Sequence, residues 1–109
     1  MVILYGDTKI KRLCEEAKYQ AKQLGPLQAK KLKTRLAQLR AAAHVKELQV
    51  GHPHPLTGNL AGQFSIDLIQ PTRLLFEPAD DPPPAHPHGG IDWQQVSRIR
   101  ILAIEDTHD

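Results

Sequence analysis

The chain of 109 residues has the length of one domain and buries roughly 65% of its unfolded surface, enough for a core without staples. Its single cysteine, Cys14, excludes an internal disulfide, no apolar run approaches the ~20 residues of a membrane span, and MVILYGDTK is too short in apolar residues for a signal peptide, so a cytoplasmic protein with no membrane partner is expected. The net charge of +2 hides a division: residues 1–50 carry 11 Lys/Arg against 4 Asp/Glu (+7), and residues 51–109 carry 3 against 8 (−5). A basic half suits a polyanion, either RNA or an acidic protein surface, and also suits a solvated helix face.

Residues 2–5 (VILY) predict a short strand, followed by the turn Gly6-Asp7-Thr8, where Asp7 or Thr8 caps a helix. Ile10, Leu13, Cys14, Ala17, Ala21 and Leu24 recur at helical spacing, with Lys9, Lys11, Arg12, Lys18 and Lys22 largely off that stripe. Gly25-Pro26 ends this helix and begins the next, since proline suits a first helical position. In the second helix Ala29, Leu32, Leu36, Leu39 and Ala43 form the stripe, while Lys30, Lys31, Lys33, Arg35 and Arg40 take other faces. Two amphipathic helices joined by a tight turn pair as a hairpin and lay their apolar stripes on a sheet. Val45 to Val50 reads as an irregular or short helical connector.

Phe64, Ile66 and Leu68 alternate with Ser65 and Asp67, which predicts a strand over 63–68. Gln70-Pro71 is a turn, and Thr72 to Glu77 is the next strand, with Leu74 and Phe76 on one face and Arg73, Leu75 and Glu77 on the other. Residues 78–90 are too rich in Pro and Gly for regular structure and read as an exposed loop, with Trp93 packing its base. The last strand spans about Val96 to Ile104. The whole is an α+β fold of order β-α-α-β-β-β in one domain, 1–109: an N-terminal strand and a helical hairpin packed on a small antiparallel sheet.

Several short elements lie in a fixed order: His-x-Leu-x-Gly at His54, Leu56 and Gly58; Gly-Gln-Phe-Ser-Ile at 62–66; Arg-Leu-Leu-Phe-Glu-Pro at 73–78; Gly-Gly-Ile-Asp-Trp at 89–93; and an Asp-x-His ending at Asp106 and His108. Together with Lys-Ile-Lys-Arg-Leu-Cys at 9–14, this text resembles the RelE/ParE superfamily over nearly the whole chain, and within it the HigB-like plasmid-maintenance killer toxins. The resemblance implies the toxin of a type II toxin–antitoxin pair, an endoribonuclease that cuts mRNA on the ribosome without a cofactor. It implies as partner a HigA-like helix-turn-helix antitoxin, which alone would touch DNA. ParE-type relatives on the same fold inhibit gyrase, so fold does not decide the target.

Metal-free RNA cleavage needs a base for the ribose 2′-OH, a cation for the charge building on the phosphate, and an acid for the leaving 5′-oxygen. On the resemblance, His54 and His108 supply base and acid in either order, Arg73 grips the phosphate, and Asp106 orients His108. Lys30, Lys33, Arg98 and Arg100 are the candidate RNA-binding cations. Arg73 has a plainer alternative role as an ion-pair partner of Asp67 or Glu77.

Two departures thin the site. The family often has an aromatic between the final Asp and His, where this chain has Thr107, and its turn after the histidine is usually basic, where residues 57–61 here are Thr-Gly-Asn-Leu-Ala. A weak toxin, or a catalytically silent binding module that docks an antitoxin or gyrase, is therefore the alternative. The pairs His52-Pro53-His54 and His86-Pro87-His88 also admit a histidine metal site, but no Cys pair or His-Glu-x-x-His helix supports one, and no metal is expected.

Overall fold

The computed structural model describes residues 1–106. Its sheet has five strands: β1 (Val2–Tyr5), β2 (His54–Pro55), β3 (Phe64–Asp67), β4 (Thr72–Pro78) and β5 (Arg98–Asp106), in spatial order β1-β5-β4-β3-β2. Strands β2 to β5 run antiparallel to their neighbours, as a meander of short connections should. Two features depart from the expected antiparallel sheet. The N-terminal strand joins it parallel to β5, and residues 54–55 add a two-residue edge strand. Parallel pairing follows from the route of the chain: it leaves β1 through the helical layer, enters the sheet at the far edge, and returns strand by strand to lie beside β1.

The helices cover one face. Asp7 settles the first cap, its carboxylate accepting from the Ile10 N–H at 2.8 Å. The expected single helix over 8–24 is two: α1 (Thr8–Glu15) and α2 (Ala17–Leu24), broken where Glu16 turns extended (φ −101°, ψ 105°). A break strands carbonyls of the preceding turn, and the buried Gln20 side chain replaces the lost ladder by donating from Nε2 to the carbonyls of Leu13 (3.2 Å) and Cys14 (3.4 Å). The bend also turns Ala17 and Ala21 outward, so the predicted apolar stripe holds for Ile10, Leu13, Cys14 and Leu24 and fails at the two alanines between them.

Helix α3 (Pro26–Ala41) starts at Gly25-Pro26 as expected, with Gly25 at φ 81°. Its buried side is Ala29, Leu32, Leu36 and Leu39, as the spacing predicts, plus Arg35, which was expected at the surface. Ala43 lies beyond the helix end and is exposed. The Met1 nitrogen donates to the carbonyls of Leu39, Arg40 and Ala42, which ties the start of β1 to the end of α3.

The core lies between these helices and the inner sheet face, where Ile10, Leu32, Leu36 and Leu39 meet Phe64, Ile66, Leu74, Phe76, Ile99 and Ile101. A bulge opposite Leu75/Phe76 leaves Leu102 without a partner in the ladder, because Leu75 pairs with Ala103 and Phe76 with Ile101. The inner residues of β5 are therefore Ile99, Ile101 and Ile104, and Arg98, Arg100, Ala103 and Glu105 face outward. Residues 79–92 are more ordered than an exposed loop: Ala85 bridges Ile91, the His86 N–H donates to Gly90, and the Asp92 N–H to Pro84. Trp93 closes the base of this excursion against Phe64 (ring centroids 4.9 Å apart).

Candidate active site on the helix-free sheet face

Directly opposed residues of neighbouring strands share a face, and alternate residues along a strand share it too. The register therefore defines two outward rows. One is His54, Ser65, Leu75 and Ala103; the next is Asp67, Arg73 and Glu105. His54 and Arg73 stand on the same side of the sheet, two strands and one two-residue step apart. Strand spacing of ~4.8 Å and a rise of ~3.4 Å per residue put their α-carbons about 12 Å apart. Two long side chains across that span can address one nucleotide.

Each is set by backbone geometry rather than by chance packing. His54 is half-buried, and its Nδ1 lies 2.7 Å from the carbonyl oxygen of His52, whose ring lies against its own, tilted by 30°, at 4.4 Å between centroids. The bend that allows this uses Gly51 at φ 86° and His52 at φ 49°, both left-handed. Gly51 is fixed from below. Its carbonyl accepts from the Asp67 N–H (2.7 Å), and a Cβ added to it would lie 2.8 Å from Arg35 Nε. Arg35 in turn donates from Nε to the Asp67 carbonyl (2.8 Å) and from Nη1 to Gln38 Oε1 (3.0 Å). Two turns earlier on α3, Gln28 exchanges two hydrogen bonds with the backbone of Ile69. Helix α3 thus grips both the end of β3 and the β3–β4 turn that leads to Arg73. Sequence reasoning missed Arg35 and Gln28. The available signal was position: Arg35 follows Leu32 by three and precedes Leu36 by one, on the flank of the buried stripe.

The other expected site residues are placed differently. Asp106 pairs with Thr72 and accepts a hydrogen bond from the Thr72 hydroxyl (2.7 Å); its parity is that of Ile104, the face opposite Arg73. His108 and Thr107 lie outside the described residues. Arg98 and Arg100 do share the outer face, but Arg98 meets Asp80 at 2.7 Å and Arg100 meets Glu77 at 2.7 Å and the Ala79 carbonyl at 3.3 Å. Glu77 is thus the partner of Arg100, while Arg73 has Asp67 and Glu105 as cross-strand neighbours. The hollow of about 360 Å³ beside this corner is lined by Glu77, Asp80, Asp81 and Arg100, among others, more acid than base. Lys30 and Lys33 are exposed on the solvent side of α3, in the layer behind the sheet.

Ser65, opposite His54, is fully buried, and its hydroxyl makes no hydrogen bond among the described residues. Cys14 is no nucleophile: burial in the core pushes its thiol up to about 12. Among the described residues no three His, Cys, Asp or Glu side chains come together to hold a metal ion, and no helix is long and apolar enough to cross a membrane.

A mixed five-stranded sheet backed by helices on one face, with β1 parallel to the last strand of a meander, is the RelE/YoeB-like toxin fold. Solved structures carry the same architecture end to end. A YoeB/ParE toxin from Agrobacterium tumefaciens superposes with a TM-score of 0.62 at 11% identity, over 99% of this chain and 100% of that one. The YoeB–YefM complex from Staphylococcus aureus gives 0.60 at 18% identity, and the YoeB dimer from the same organism 0.59 at 18%, each over 99% of this chain and 98% of the other. No protein-family profile matches the chain, and no curated protein does.

Proposed function

We propose that this chain is the toxin of a type II toxin–antitoxin pair, a metal-independent endoribonuclease that cuts mRNA on the ribosome and is neutralised by a HigA-like antitoxin. The observation that carries the reading is the shared outer face of His54 and Arg73. In the neutral His54 ring, Nδ1 bears the proton, because a carbonyl only accepts; Nε2 then has the lone pair. Nε2 takes the proton of the 2′-OH, the 2′-oxygen attacks the phosphorus, Arg73 steadies the charge on the phosphoryl oxygens, and an acid delivers a proton to the departing 5′-oxygen. His108 is the candidate for that acid. The products are a 2′,3′-cyclic phosphate and a free 5′-OH, so the reaction needs no external nucleophile.

The partner is proposed on the same footing. One of the structural neighbours was solved as a YoeB–YefM complex, and the basic first half of this chain suits an acidic segment of a partner protein. Ribosome-coupled cleavage of a reporter mRNA tests the enzyme reading. Cleavage should be lost in His54→Ala and in Arg73→Ala, with binding of the antitoxin retained. Cleavage that survives the removal of His54 would defeat it.

The neutralised corner around Arg98 and Arg100 favours a second reading, a weakened toxin that binds its antitoxin and cuts slowly. Single-turnover rates on programmed ribosomes separate the two, since a slow enzyme still cuts at the same positions.

A further inference from the structure

The strained turn before His54 has a chemical consequence of its own. His52 is the one non-glycine among the described residues with a left-handed backbone, at φ 49°. A side chain there is disfavoured, since Cβ crowds the following carbonyl. Such a conformation persists where the surroundings over-determine it, and here they do. Gly51 is bonded to Asp67 and packed on Arg35, and Asp67 is bonded to both. What the turn achieves is orientation of one carbonyl: the His52 oxygen is aimed at His54 Nδ1, at 2.7 Å.

We infer that His52 is a positioning residue whose left-handed backbone locks His54 in its Nδ1–H tautomer and so delivers Nε2 as the reacting nitrogen. A free neutral imidazole distributes its proton between both nitrogens and rotates about two side-chain bonds. A ring bonded through Nδ1 to a fixed carbonyl does neither. The tilted His52 ring is secondary; the carbonyl performs the positioning, so side chains that tolerate the turn should substitute. Arg35 belongs to the device at one remove, because it fixes the Gly51 end of the same turn.

The importance of the tautomer for turnover rests on the ribonuclease reading above, but the tautomer itself does not. The test is therefore in two arms, on the full chain. Nitrogen-15 NMR of the imidazoles, at a pH where His54 is neutral, should show Nδ1 protonated and Nε2 bare in the wild type. His52→Asn, which removes the ring but accepts a left-handed backbone, should keep that signature; His52→Val, which resists the turn, should give a mixture of tautomers. In the second arm, kcat on programmed ribosomes should fall about tenfold in His52→Val with KM little changed, the rate equivalent of one lost hydrogen bond, and His52→Asn should recover most of it. A wild-type ring protonated on Nε2, or a valine variant with the wild-type signature, would overturn the inference. A wild type that shows the expected tautomer and cuts no RNA would leave the positioning intact and defeat the nuclease reading alone. If His52→Val does not fold, the wild-type and asparagine spectra still decide.

Discussion

Two corners of one sheet face treat their polar groups in opposite ways. At the β5 corner, Arg98 and Arg100 are each met by a carboxylate at 2.7 Å, which orients the guanidinium and cancels its charge together. At the β2 corner, His54 is oriented by a backbone carbonyl, which fixes the ring through Nδ1 without adding a charge. A catalytic or phosphate-binding group needs the second kind of support. An ion pair must be broken before an anionic substrate can use the cation, whereas a carbonyl bond can stay in place through the reaction. The contrast sets the arginines that shape the loop at 79–92 apart from His54.

The largest expected effect compares two arginines of this face by their distance from His54. Arg73→Ala should lower ribosome-dependent cleavage by about 10²–10³-fold, the usual consequence of losing a group that stabilises transition-state charge. Arg98→Ala should stay within about threefold, because it stands on β5, three strands from His54. Equal losses, measured as kcat/KM on the same mRNA, would erase the difference between the corners.

Next in size is the turn beneath His54. Gly51→Ala faces both a left-handed φ and a Cβ placed 2.8 Å from Arg35 Nε and 3.2 Å from the Asp67 carbonyl. The two penalties together should cost about 2–4 kcal/mol in urea unfolding. Gly89→Ala is the control. It has φ 98° and no atom within 4 Å of the added carbon, so it should cost only ~1–2 kcal/mol. If the two variants unfold alike, the packing of Arg35 against Gly51 contributes nothing to the turn.

How far the sequence reaches is also a matter of these two corners. The stripe Leu32, Leu36, Leu39 is visible because helical spacing is a property of one segment, and the meander because strand alternation is as well. Even the bulge in β5 leaves a trace: its inner residues step from Ile99 to Ile101 by two and then to Ile104 by three. The face shared by His54 and Arg73 follows from alternation once the register is known, and it was the family resemblance that singled out those two residues. The remainder depends on partners distant in the chain. Nothing between Thr8 and Leu24 breaks a helix by propensity, and the break at Glu16 is stable because Gln20 folds back on it. Arg35 looks like any surface arginine until Gly51 and Asp67 arrive. The pairing of Arg98 with Asp80 crosses 18 residues of proline-rich chain, and no periodicity reports it.

Ser65 gives a smaller effect of unusual sign. A fully buried hydroxyl without a partner among the described residues has lost its water and gained nothing from them, so Ser65→Ala should leave stability unchanged or raise it by up to about 1 kcal/mol. Cleavage decides what the hydroxyl is for. If it supports the placement of His54, the stabilised variant cuts more slowly; if cleavage is unaltered, Ser65 is merely a small residue that fits between His54 and Leu75.

The smallest effect on stability asks whether the β5 corner can be converted into the other kind. The Arg98–Asp80 pair is about half exposed, so Asp80→Asn should cost less than about 1 kcal/mol. Its consequence for binding is larger than for folding. Freeing one guanidinium on the outer face adds one cation able to displace a counterion, so the slope of log affinity for single-stranded RNA against log salt should steepen by about 0.7. Glu77→Gln should add a similar increment through Arg100, reduced by the bond that Arg100 keeps to the Ala79 carbonyl. An unchanged slope in both variants would mean that RNA does not pass over this corner at all, and would confine its path to the strip between His54 and Arg73.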